Sequence, residues 1–149
     1  MEKVKRISLL LVIVFAITGC GLSDWTYEMI GGYEIIRCNS EDILLCNDRE
    51  MIYPSSSLVI PNYRVTDFCF NDRYIGLRTI RYKDVWTDEQ DFPEVENGIR
   101  IGGQAFYLVD TFSDEVCGPF ADKKTYDAKC VEWGTGDMGT WRSTDKEPV

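Results

Sequence analysis

The stretch "RVTDFCFNDRYIGLRTIRY", Arg64 to Tyr82, decides the fold class. Two runs rich in Val, Ile, Thr, Phe and Tyr flank Asn71-Asp72-Arg73. β-branched and aromatic side chains suit a pleated, half-buried surface, and Asn and Asp tolerate turn geometry. The segment therefore reads as an antiparallel hairpin. Gly76, inside the second run, marks either a bulge or a close backbone contact.

The same pattern recurs on both sides. "GGYEIIRC", Gly31 to Cys38, and "ILLCN", Ile43 to Asn47, flank the turn cluster "NSED" and form a first hairpin. "MIYPSSSLVIP", Met51 to Pro61, is broken by Pro54 and three serines, as an edge element and loop would be. "QAFYLVDT" and "EVCGPF" make a third hairpin around Phe112-Ser113-Asp114. "ADKKTYDAKCVEWG" reads as a helix, with Asp122 as N-cap and Gly134 as its stop. Tyr126, Cys130 and Trp133 recur at helical spacing on one face of it.

The expected architecture is α+β. A mostly antiparallel sheet of hairpins, about five to seven strands, carries one C-terminal helix packed on it. The expected organisation is a cleaved signal over 1–19, a lipidated N-terminus and tether over 20–30, one domain over 31–134 and a flexible tail over 135–149. "GGYE", "FNDRYI" and "YLVDT…GPF" together resemble a family of short uncharacterised bacterial lipoproteins, across most of residues 25–133. That resemblance implies a fold and an address but no activity.

The address is also written in the N-terminus. "MEKVKR" is basic, and "ISLLLVIVFAI", Ile7 to Ile17, is an apolar run of 11 residues interrupted only by Ser8. As a helix it would cover roughly half of a ~30 Å hydrocarbon core, the size of a signal-peptide apolar region. Ile17, Thr18, Gly19 and Cys20 follow, and this tetrad resembles the lipobox of bacterial lipoproteins. The resemblance implies diacylglycerol on the Cys20 thiol and cleavage after Gly19, anchoring the chain to the outer face of a cell membrane. Each buried acyl CH₂ contributes about 0.8 kcal/mol, so two or more chains give a stable anchor. An ordinary cleaved signal with a free Cys20, or an uncleaved anchor, are the other readings.

Composition narrows the chemistry. The formal net charge is −9. Lys3, Lys5 and Arg6 against Glu2 leave 13 basic and 24 acidic residues from Cys20 onward, a net of −11. Such a domain repels nucleic acid, which is not an expected partner. There is no histidine. Triads, Cys–His dyads and His-containing metal sites are thereby excluded.

Six cysteines become five once Cys20 is lipidated. Cys117 and Cys130 are the best-placed pair, a strand end and the inner face of the next helix. Such a bridge would contribute ~3 kcal/mol in the chain-entropy model. Cys38 and Cys46 point to opposite faces if residue 38 lies opposite 43, and an odd loop would reverse this. Otherwise these thiols pack as small apolar groups.

The acidic loop carries Asp84, Asp88, Glu89, Asp91, Glu94 and Glu96. It reads mainly as solvated, with Asp88 and Asp91 as weak cation ligands because the alternating pattern of a calcium loop is missing. No cofactor is expected. Tyr82, Trp86 and Phe92 could form a stacking patch for glycan or peptide, although most aromatics in such a sheet are core. Three functional classes follow: a membrane-tethered binding module, an inhibitor or protective protein acting on an envelope enzyme, and a hydrolase working with carboxylates alone.

Overall fold

The computed structural model describes residues 25–37, 43–47, 60, 62–83 and 92–146. Its organising element is the expected hairpin, here β4 (Tyr63–Phe70) and β5 (Tyr74–Arg81). Asn71 sets the turn. Its side-chain oxygen accepts from the backbone N–H groups of Arg73 at 3.0 Å and Tyr74 at 2.8 Å. This local bond is why Asn favours turns over strand interiors.

β5 is the centre of a five-stranded antiparallel sheet in the order β10-β4-β5-β8-β9, with β8 at Gln104–Asp110, β9 at Glu115–Phe120 and β10 at Arg142–Ser143. Pairing between β4 and β5 steps from Val65↔Thr79 to Asp67↔Arg78, so Thr66 is the extra residue of a bulge. The bulge reverses the alternation. Tyr63 and Val65 face one core before it, and Phe68 and Phe70 face the same core after it.

That core lies between the main sheet and a second one. β1 (Trp25–Glu28), β2 (Tyr33–Arg37) and β3 (Ile43–Asn47) form a three-stranded antiparallel sheet. Tyr33, Ile35, Ile43 and Leu45 from it pack with Val65, Phe68, Ile75, Leu77, Tyr107 and Val109. Fully burying an aliphatic or Phe side chain contributes about 1.5–3 kcal/mol, so this layer supplies much of the stability. Arg37 lies opposite Ile43, and Cys46 opposite Glu34. The register is thus one residue away from the one that places Cys38 opposite Ile43. It is the register that turns Ile35 and Leu45 inward together.

The helix, α1 (Lys123–Trp133), covers the other face of the main sheet. Asp122 caps it as expected, accepting from Thr125 N at 2.8 Å, and Gly134 ends it in the left-handed conformation (φ 63°, ψ 39°). Tyr126, Cys130 and Trp133 pack on Tyr74, Phe106 and Leu108. Gly76 is the close contact anticipated, not a bulge. A β-carbon there would overlap the Tyr126 hydroxyl and lie 2.8 Å from Cys69 Sγ.

Two expectations about the ends are corrected. Residues 20–30 are not only a tether, because Trp25–Glu28 is a paired strand. Residues 135–149 are not a flexible tail over their described length. Arg142 and Ser143 pair with Phe68 and Asp67, and Trp141 packs on Phe106 and Tyr126. The Thr144 hydroxyl, buried, donates to Val65 O (2.9 Å), with Thr66 O at 3.1 Å. Trp141 supplies the apolar area, and Thr144 replaces water at two strand carbonyls, so the segment is held.

Within the acidic loop, β6 (Val95–Glu96) and β7 (Ile99–Arg100) form a small hairpin. It turns at Asn97 (φ 50°) and Gly98 (φ 78°). Two consecutive positive φ values match the turn that suits the strand twist, and Asn-Gly is its favoured sequence.

Candidate functional site

Inward-facing residues of β5 alternate Ile75, Leu77, Thr79, Arg81. The last is a charge at a core position, and it is 0% exposed. A buried guanidinium persists only if its N–H groups are satisfied. Nη1 donates to Glu94 O (3.1 Å) and Ile99 O (2.9 Å), and Nη2 donates to Pro93 O (2.7 Å). Nη2 also lies 3.4 Å from Glu96 Oε2, and the guanidinium sits 4.5 Å from the Phe92 ring centroid. The Nε atom is buried and has no partner. Arg81 therefore holds the 93–99 loop on the end of the sheet and fixes the position of Glu96.

Beside it stand two tyrosines from neighbouring parts of the sheet, Tyr63 at the start of β4 and Tyr107 in the middle of β8. Their rings meet edge to face at 5.2 Å. Burial raises the pKa of both phenols, so both are neutral O–H groups at physiological pH. The Tyr63 hydroxyl is buried, and the Tyr107 hydroxyl is the polar group beside it. Tyr63, Tyr107, Glu96, Asn62 and Asn97 line a pocket of about 280 Å³, and Ile60, Val116 and Pro119 give it an apolar wall. Asn62 (φ 66°) and Asn97 (φ 50°) are both in the left-handed conformation that Asn accepts more readily than other side chains.

The pocket presents one carboxylate and two phenols. The carboxylate is paired with an arginine, and the two phenols are protonated. A glycosidase of the common type needs two carboxylates across the bond it cleaves. Among the described residues no group of three or more metal-ligating side chains could hold an ion.

Several expected sites lie elsewhere. Ile17, Thr18, Gly19 and Cys20 fall outside the described residues, as do Trp86, Asp88 and Asp91. The patch of Tyr82, Trp86 and Phe92 is corrected at Phe92, which is 9% exposed and turned under Arg81. Its face is occupied by the guanidinium and offers nothing to a ligand. The expected bridge between Cys117 and Cys130 is also corrected, for both are free thiols. Cys130 lies beside the Tyr126 hydroxyl and Cys69, while Cys117 lies within electrostatic reach of Lys129. Burial pushes the Cys69 thiol up to about 11, which leaves it protonated and unreactive.

Tyr63 and Tyr107 were not legible as partners, being strand aromatics far apart in sequence. Arg81 carried a signal. Counting by twos from Ile75 along "YIGLRTIRY" places an arginine on the core face, a position that demands an explanation.

No family model, curated protein or solved structure matches the chain.

Proposed function

We propose that the chain is a lipid-anchored, extracytoplasmic binding module that takes a small ligand into the pocket between Tyr63, Tyr107 and Glu96. One observation carries the binding part. Tyr63, Tyr107, Glu96, Asn62 and Asn97 converge on one concavity against the apolar wall of Ile60, Val116 and Pro119. A concave site with an apolar wall and a few convergent polar groups is the usual form of a small-molecule site. The address is supported by the basic start, the apolar run and the Ile17-Thr18-Gly19-Cys20 tetrad. The bilayer is then a partner through acylated Cys20, and the second partner is an envelope glycan or protein.

The two parts have separate tests. The mass of the native N-terminal peptide should show cleavage before Cys20 and an acyl-modified cysteine, and Cys20→Ser should release or leave unprocessed the protein. A mature-size, membrane-bound Cys20→Ser protein would overturn the anchor. For the pocket, amide resonances of Asn62, Asn97 and Gly118 should shift with a panel of small polar molecules. Shifts confined to other surfaces would overturn it.

A second reading has its own observation. Phe112, 73% exposed, projects from the β8–β9 turn with the Arg73 guanidinium 5.2 Å from its ring centroid. A propped aromatic on a hairpin tip is suited to plug the cleft of an envelope enzyme. Capture of a hydrolase with loss of its activity, abolished by Phe112→Ala, would favour this inhibitor reading.

A further inference from the structure

We infer that the ligand of the pocket is a neutral, hydroxyl-rich ring, a single sugar unit at the end or branch of a glycan. This rests on the pocket being a binding site. Charge is the first argument. Arg81 and Glu96 lie 3.4 Å apart and cancel locally. Arg81 spends its terminal N–H groups on the carbonyls of Glu94, Ile99 and Pro93, so the two-pronged donor that grips carboxylates and phosphates is not on offer. The net charge of −9 disfavours anions further. A cation would find one carboxylate already paired and no open aromatic face, since the Tyr63 and Tyr107 rings are buried.

The second argument is hydrogen-bond type. A neutral phenol both donates and accepts, an Asn side chain does both, and the half-exposed Glu96 carboxylate accepts at two oxygens. The complement of such a mixed set is a ligand whose every polar group also does both, which describes a hydroxyl. Adjacent hydroxyls would donate to Glu96 and to the Tyr107 oxygen and accept from the Asn62 and Asn97 amides.

Size and shape agree. About 280 Å³ is just under the ~300–1,000 Å³ range of drug-sized sites, room for one six-membered ring and too little for a nucleotide. The apolar wall of Ile60, Val116 and Pro119 suits the C–H face of a pyranose. The pocket opens to solvent, so the rest of a longer chain has an exit.

The test uses the full chain in detergent, titrated by NMR with methyl glycosides of glucose, galactose, mannose and N-acetylglucosamine, and with glucosamine and glucuronate as charged forms of the same ring. At least one neutral glycoside should shift the Asn62, Asn97 and Gly118 amides, with a Kd in the millimolar range and at least about tenfold below that of glucuronate. Glu96→Gln should weaken it by about tenfold or more, and Tyr107→Phe by roughly fivefold, with the remaining spectrum unchanged. Glucuronate or glucosamine binding as tightly as every neutral glycoside would overturn the assignment. If no sugar shifts these amides but N-methylacetamide does, the pocket binds and the sugar class is wrong. If no probe shifts them, the pocket reading falls as well.

Discussion

The Arg81 guanidinium rests on the Phe92 ring at 4.5 Å while its terminal nitrogens bond three carbonyls of the following loop. Here a charge organises a core. Removing it leaves Glu94, Ile99 and Pro93 carbonyls short of donors. Arg81→Met should therefore cost about 3–5 kcal/mol in urea denaturation, despite being the more apolar residue. It should also lower amide protection at Asn97 and Gly98. A loss below about 1 kcal/mol would mean that the loop holds itself.

Gly76 is fixed by Tyr126. An added methyl would meet the Tyr126 hydroxyl and Cys69 Sγ. Gly76→Ala should cost about 1–3 kcal/mol, as overpacking does. The Tyr126 hydroxyl has no hydrogen-bond partner besides the weakly bonding thiols around it, so Tyr126→Phe alone should be tolerated. Combined with Gly76→Ala it should recover a large part of the loss. A double-mutant cycle on chemical denaturation checks this, and strict additivity would locate the strain elsewhere.

Acid should expose the Arg73–Asp110 pair. The hydrogen bond from Arg73, at 2.6 Å and 3.0 Å, lowers the Asp110 carboxyl from 3.8 to about 2. A depressed folded-state pKa adds stability that is complete above the unfolded value and disappears as pH falls through the folded one. The contribution is therefore lost between about pH 4 and pH 2. Because Arg73 is half open to water, about 1 kcal/mol is expected after screening. Asp110→Asn should be less stable than the parent at pH 6 and converge with it near pH 2. Equal gaps at both values would contradict the pairing.

The C-terminal strand predicts a thermal effect. Thr144→Val removes a hydroxyl bonded to Val65 and Thr66 carbonyls and should cost about 1 kcal/mol. Trp141→Ala, which empties the contact with Phe106 and Tyr126, should cost about 3 kcal/mol and lower Tm by roughly 10 °C or more. A flexible tail would give no change in either variant.

Local signals in the sequence were reliable where the chain interacts with itself over short distances. Asn71, Gly134 and Asp122 each act on the nearest few residues, and all three set the turn, stop or cap anticipated for them. Gly76 was recognised as a close contact or bulge, but its partner, Tyr126, lies 50 positions on, and nothing in a strand's pattern names such a partner. The pocket failed to show for the same reason. Tyr63, Arg81, Glu96 and Tyr107 are brought together by strand order and register, which no local pattern encodes. The short strands β1 and β10 were hidden because their residues, Trp25–Glu28 and Arg142–Ser143, are strands only when a preformed edge receives them.

Arg142 donates to the Tyr27 hydroxyl and lies over the rings of Tyr27 and Phe70, a contact that spans 115 positions. The open edge of β4 thus waits for nearly the last described residues before it is closed. Folding of this kind is governed by the slow search for distant contacts rather than by local order. A partly made chain would keep that edge unsealed and its interior loose. Assembly is therefore a finishing step, triggered when the far end arrives.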